Sequence, residues 1–255
     1  MKNTFLIITL LGVAAAEMTA QQKHHCEEYT SIFENDTTEL QYAYVENIHD
    51  GRGYTSGRAG FTTGTGDAYE VVKKYTAHKK NNPLAHFLPE LEKLAHSGSG
   101  SVANLHGYET AWKEAAKDQE FRLIQDEVSD EMYYHPAMTL AKKEGVKTAL
   151  GLCAFYDTII QHGGGDDPDS LEAIVKRTRS EMGNQGIHNN EHEWITHFLN
   201  TRRHDLTNPH NHETQKEWSG SVDRVDAMLE LIKAGNWDLH TPMHIKTKNH
   251  DETIH

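Results

Sequence analysis

Apolar residues at Tyr29, Ile32 and Phe33 have the spacing of one helix face, which predicts a helix from about 25 to 34. Asn35-Asp36-Thr37-Thr38 ends it, because such side chains bond to nearby backbone and favour caps and turns. Glu34 therefore falls at a helix end, where a side chain can point into a cleft. The period then changes. Leu40, Tyr42 and Tyr44 alternate with polar positions, which predicts a strand. Glycines at 51, 53, 57, 60, 64 and 66 ask for turns and permissive backbone angles, so a small sheet with tight connections is expected. Helical spacing returns at Asp67, an N-cap candidate, with Ala68, Val71, Val72 and Tyr75 on one face. It continues through Phe87, Leu88, Leu91 and Leu94, and again through Trp112, Phe121, Ile124 and Val128. The stretch His96-Ser97-Gly98-Ser99-Gly100-Ser101 reads as a short flexible loop. Pro136 starts a further helix, and Val146 to Gln161, the most apolar, is expected to be the structural spine. Gly163-Gly164-Gly165-Asp166-Asp167-Pro168 breaks it, and helices follow through Ile174, through Trp194-Ile195-Phe198-Leu199, and from Val222 to Ile232. No internal repeat is present. The chain reads as mainly α, with a small β-sheet near the N-terminal part.

The 255 residues suffice for one large domain or two small lobes with a real core. Lys2, the apolar run Phe5 to Ala16 and the small residues Ala14-Ala15-Ala16 form a secretory-signal pattern, with cleavage after Ala16 or as late as Ala20. That run is too short to span a membrane, so a secreted, extracellular protein with no membrane contact is expected. A single catalytic domain is expected over 21–245, and 246–255 as a loose tail. The formal charge of −13 argues against nucleic acid, whose binding needs a basic footprint, and suits a cationic substrate or plain solubility. Cys26 and Cys153 could pair in a secreted protein, although Cys153 sits in an apolar run where a free buried thiol is as natural.

Two carboxylates facing across a cleft are the minimum equipment for cutting a glycosidic bond, and Glu34 and Asp50 are candidates. Other chemistries fail on spacing. His192-Glu193-Trp194-Ile195-Thr196-His197 places its second imidazole one position beyond the slot a zinc-protease helix needs. His188 and His192 have the right interval for weak metal capture, but a solvated His-rich loop and helix start explains them better, so no metal or other cofactor is expected. The glycines lack the Gly-Lys-Ser/Thr ending of a phosphate loop, Gly51-Arg52-Gly53 completes no dinucleotide fingerprint, and no Gly-x-Ser-x-Gly elbow occurs. Asn35-Asp36-Thr37 fits a glycosylation sequon, but a glycan there would crowd Glu34.

The block Glu34-Asn35, Gln41-Tyr42-x-Tyr44-Val45-Glu46, Asp50-Gly51-Arg52-Gly53-Tyr54-Thr55 and Gly60-Phe61-x-x-Gly64-Thr65-Gly66-Asp67 resembles the chitosanases of glycoside hydrolase family 46. The likeness continues through Tyr133-Tyr134-x-Pro136-Ala137, Tyr156-Asp157-x-x-Ile160-x-His162-Gly163-x-Gly165-x-Asp167-Pro168, Phe198-Leu199-x-x-Arg202 and Arg224-Val225-Asp226. It implies a bilobal, lysozyme-like fold with a cleft between two lobes, and endo-hydrolysis of chitosan, the β-1,4 polymer of glucosamine, with inversion. By matching position it implies Glu34 as general acid, Asp50 as general base and Thr55 as a holder of the attacking water. Arg52, Asp67, Tyr44, Glu46 and His162 would line the substrate groove. Arg202 and Arg224 would form a charge network behind the site with an acidic partner, Glu217 or else Glu213.

The expected partners are chitosan or glucosamine oligomers, bound by a monomer. Three other readings are kept: a lysozyme-like hydrolase of acetylated chitin or peptidoglycan, a catalytically silent carbohydrate-binding protein, and a metal-binding secreted protein.

Overall fold

Thr19 accepts a hydrogen bond from the Gln22 amide while the Gln22 side chain reaches back to the Thr19 amide, and this reciprocal cap opens the first helix, α1 (Ala20–Asn35). The computed structural model describes residues 17–183, 187, 190–212 and 215–255, without the side chain of Glu217. The secretory-signal reading of 1–16 thus lies outside the described residues. Met18 is buried in the core beside α1, so the folded domain starts before the expected residue 21.

Three two-residue strands follow: β1 (Val45–Glu46), β2 (Thr55–Ser56) and β3 (Phe61–Thr62), antiparallel in that order. Val45 pairs with Ser56, and Thr55 with Thr62. The strand expected from Leu40 to Tyr44 does not form: the chain turns at residues 42–43 and β1 begins only at Val45. The carbonyl of Tyr42 accepts from Trp112 Nε1 (3.0 Å) and Gln125 Nε2 (3.1 Å), and its hydroxyl donates to Asp126 (2.8 Å). Side chains hold the Tyr42 carbonyl, while the Tyr42 and Tyr44 amides turn back onto the Leu40 and Gln41 carbonyls.

Helices α2 (Asp67–His78), α3 (Leu88–Ser97), α4 (Tyr108–Ala115) and α5 (Gln119–Ser129) complete the first lobe, with a short 3₁₀ turn at Ala85–Phe87. Its core gathers Phe61, Val72, Tyr75, Leu91, Tyr108, Trp112 and Phe121. The single helical run read through Trp112 and Phe121 is two helices, because Asp118 caps α5 by accepting from the Glu120 amide.

α5 does not stop. It widens into a π-helical turn at Asp130–Tyr134 and continues as α6 (His135–Glu144), which carries the chain into the second lobe. Pro136, the second residue of α6, has no N–H to bond back to the π turn, so one rung of this continuous helix is missing there. The apolar spine is α7 (Ala149–His162), capped by Thr148, and α8 (Leu171–Glu181), α9 (Glu191–Thr207), α10 (Gln215–Gly220) and α11 (Val222–Lys233) pack around it. This second core also contains α1, so the chain crosses between lobes twice, once after Asn35 and once through the π turn.

The expected loose tail is instead a hairpin. β4 (Met243–Lys246) pairs with β5 (Asp251–Ile254), because Met243, Ile245 and Ile254 alternate inward and are buried in the second core.

Cys26 and Cys153 are disulfide-bonded and tie α1 to α7 across 127 residues of sequence. In a chain-entropy account, closing so long a loop stabilises by about 4–5 kcal/mol. Replacing both cysteines by alanine should lower the midpoint of a calorimetric melt by about 10 °C at roughly 2–4 °C per kcal/mol. An unchanged midpoint would show that the bridge leaves the folding balance untouched.

Candidate active site

Glu34 stands in the last turn of α1, just before Asp36 takes the left-handed conformation (φ 56°) that ends the helix. Its Oε1 accepts from Arg224 Nη1 at 2.6 Å, while the side chain stays 42% exposed. Arg224 itself is buried. Its Nε and Nη2 both donate to Asp157, at 3.1 and 2.6 Å. Asp157, on α7 and fully buried, also accepts from Arg202 Nη1 (2.7 Å) and Thr30 Oγ1 (3.0 Å). Burial would raise the Asp157 carboxyl, but Arg224 and Arg202 outweigh it and hold the group well below the usual carboxylate range. Asp157 is thus the acidic partner of Arg202 and Arg224. The expected Glu217 lies on α10 with its side chain outside the described residues, and Glu213 lies outside them altogether. The helix reading through Asp157 could have found this group, since one carboxylate in an apolar run needs a buried cation.

Asp50 belongs to the other lobe. Its Oδ1 accepts from the Arg52 amide (2.9 Å), and its Oδ2 from Arg52 Nε (2.7 Å) and Nη2 (2.6 Å). Burial is the largest single influence and raises its pKa, but the bonds and charge of Arg52 together prevail and the net shift is downward. The loop has a backbone buttress. A Cβ on Gly100 would stand 1.9 Å from the Gly51 carbonyl oxygen, so the stretch read as a flexible loop packs directly behind Asp50. A Cβ on Gly64 would come within 2.8 Å of the Arg52 carbonyl oxygen from the opposite side.

Between the lobes lies a cleft of about 520 Å³. Glu34, Tyr44, Thr55, Arg58, Tyr133 and Tyr156 are among its lining residues. The Thr55 hydroxyl is buried there without a hydrogen-bond partner among the described residues. Tyr133, from the π turn, has a raised hydroxyl pKa, chiefly through burial and then through Asp67, with Arg52 opposing and Glu34 adding. Those three charged groups therefore converge on one phenol. Arg58 is a residue that sequence reasoning missed. It is 3% exposed and joins the lobes, with Nη2 on Glu27 of α1 (2.9 Å) and Nη1 on Asp126 of α5 (2.5 Å).

The other expected groove residues stand off these walls. Glu46 is exposed on β1 and accepts from the Tyr44 hydroxyl at 3.1 Å. Asp67 is the first residue of α2, and the cap itself is Gly66. Asp67 Oδ1 takes the Thr62 amide, the Thr65 hydroxyl and the Ala68 amide, and so fastens β3 to α2. His162 is buried instead of facing the groove, with Nδ1 against the Asp169 carbonyl (2.9 Å) and its ring edge-on to Trp218. Burial and then the nearby Arg202 push its pKa down to about 3, so the ring is neutral. No group of three His, Cys, Asp or Glu able to hold a metal occurs among the described residues, and His188 lies outside them.

Residues 28–243 match glycosyl hydrolase family 46. A chitosanase of Bacillus subtilis strain 168 is 50% identical over 253 residues, 98% of this chain and 91% of that protein. Among solved structures, a mutant chitosanase of Bacillus subtilis MY002 complexed with 6 GlcN superposes with a TM-score of 0.83 at 48% identity, covering 94% of this chain and 100% of that one. A chitosanase of Gynuella sunshinyii in complex with chitotetraose gives 0.81 at 44%, covering 93% and 99%.

A depressed carboxyl contributes stability that is present above its unfolded value of 3.8 and is lost as the pH falls toward its folded value. Asp157→Asn should therefore cost about 3–5 kcal/mol near neutral pH by stranding two buried guanidinium groups. It should also flatten the fall in melting temperature below about pH 4. Melts from pH 2 to 7 test both, and an acid limb as steep as in wild type would refute the assignment.

Proposed function

The chain belongs to glycosyl hydrolase family 46, and on that premise we propose that it cuts β-1,4 bonds within chitosan by an inverting mechanism, with Glu34 as acid and Asp50 as base. The observation that carries this reading is the grip of Arg224 on one Glu34 oxygen at the cleft edge. Oε1 is occupied by that donor, so a catalytic proton resides on Oε2, the oxygen left to face the sugar. Asp50 is held ionised by Arg52 and stands on the opposite lobe, as a base on the far side of the sugar ring must. Inversion needs about 6.5–9.5 Å between the two carboxyls so that water fits. The unpartnered Thr55 hydroxyl supports a role in holding that water.

Chitosan as substrate is supported by the similar proteins described above, which are chitosanases, and by the net charge of −13. Neither the acetylated-polymer reading nor the silent-binder reading gains from them. Asp67 and Glu46 are the carboxylates proposed to pair with the ammonium groups of the polymer. The Lys2 and Phe5–Ala16 pattern supports export, and no helix among the described residues is long and apolar enough to cross a membrane.

Glu34→Gln should lower turnover by about 10²–10⁴-fold while a glucosamine oligomer still binds. NMR of the first product formed by wild type should show the α-anomer, and an initial β-anomer would overturn inversion. Thr55→Val should melt at or above wild type, since it removes an unsatisfied buried hydroxyl, yet lose about tenfold or more in kcat. Unchanged kcat in that variant would remove Thr55 from the mechanism.

A further inference from the structure

His250 sits at the turn of the β4–β5 hairpin, beyond residue 243 where the family match ends. It is 11% exposed. Its Nε2 lies 3.1 Å from Asp36 Oδ1, and its Nδ1 lies 3.4 Å from Asp223 Oδ2 and 3.2 Å from Thr247 Oγ1. The Thr247 hydroxyl and Asn249 Nδ2 both donate to the same Asp223 oxygen, at 3.0 and 3.3 Å. The edge of the Phe33 ring completes the surroundings at 4.9 Å between centroids. The charged groups that face the imidazole are therefore Asp36 from the end of α1 and Asp223 from the start of α11.

Those two carboxylates are neighbours of the reacting pair. Asp36 follows Glu34 by two residues and caps its helix, and Asp223 directly precedes Arg224. We propose that His250 is a positioning residue for the Glu34–Arg224 pair, its ring lodged between Asp36 on one side and Thr247 and Asp223 on the other so that the proton donor and the guanidinium that orients it move as one. The strut is anchored independently of the cleft, because Met243, Ile245 and Ile254 hold the hairpin in the core. Helix ends fray, and Asp36 is 88% exposed, so the tie adds to the Asp36 amide bond to the Ile32 carbonyl (3.1 Å) and the Asn35 side-chain bond to Ser31 (3.3 Å) in resisting unwinding next to Glu34. The proposal rests on Glu34 being the acid.

The test compares wild type, His250→Gln, Asp36→Asn and the double variant on a glucosamine oligomer. Hydrogen exchange of residues 33–40 is followed in parallel. The two single variants should lower kcat about fivefold, with KM changed less than twofold. The double variant should be no worse than the worse single, as expected for partners in one contact. Exchange of 33–40 should quicken in all three. Asp36→Asn, at an exposed position, keeps the test decisive should a His250 variant fold poorly. Wild-type kcat in both single variants overturns the proposal, as does a fall in kcat with unchanged exchange at 33–40. Full turnover by Glu34→Gln would instead defeat the acid assignment, and the exchange data would still report on the tie.

Discussion

Asp157 is the group on which the rest of the site depends. It is a carboxylate with no exposure, set in the most apolar helix of the chain, and it survives there only because two guanidinium groups and a hydroxyl close around it. Two arginines against one aspartate leave one positive charge over. That surplus emerges at Arg224 Nη1, which is the atom that meets Glu34. The cluster so converts a buried charge balance into a directional donor aimed at the cleft, and it draws α1, α7, α9 and α11 to one point. The disulfide from α1 to α7 reinforces the same alignment from within the core.

The two carboxylates of the proposed reaction are supported by opposite means. Glu34 is fixed by long-range partners on a rigid helix. Asp50 is fixed locally, by the arginine two residues on and by backbone packed so closely that no side chain fits at Gly100. One sits in each lobe, and the lobes are joined by a covalent helix with a π turn and by the buried Glu27–Arg58–Asp126 bridge. The π turn has a consequence at the site, because it delivers Tyr133 to the cleft between the charges of both lobes.

Helical periodicity made most of the fold legible, since spacing along a helix is local information. Glu34 at a helix end, the Gly-rich small sheet and the apolar spine followed from it directly. What escaped was settled by contacts distant in sequence. Tyr42 alternates like a strand residue, but its carbonyl is captured from α4 and α5. The tail from 246 looked polar and loose, yet every second residue of its hairpin turns inward. Gly100 read as flexible when its smallness serves close packing. The partner of the arginine pair was sought between Asn208 and Ser221; Asp157 in its apolar helix signalled a buried cation, but its arginine partners lie over forty residues away. His162 was placed in the groove by resemblance alone, and the loop after α7 folds over it instead.

The electrostatics of the cleft follow from which charges are already spoken for. Arg224 is divided between Asp157 and Glu34, Arg58 between Glu27 and Asp126, and Arg52 is taken by Asp50. Each cation near the cleft thus has its carboxylate, so none is left to repel a positively charged polymer. The surplus is acidic. Asp67 spends only Oδ1 on the bonds that fasten β3 to α2, and exposed Glu46 accepts only from a tyrosine hydroxyl. A field of this sign draws ammonium-bearing sugars from a distance and is screened by salt, whereas an acetylated sugar, being neutral, gains nothing from it. The discrimination between deacetylated and acetylated polymer can therefore arise before any close contact with the reacting bond, from the pairing of arginines inside the protein.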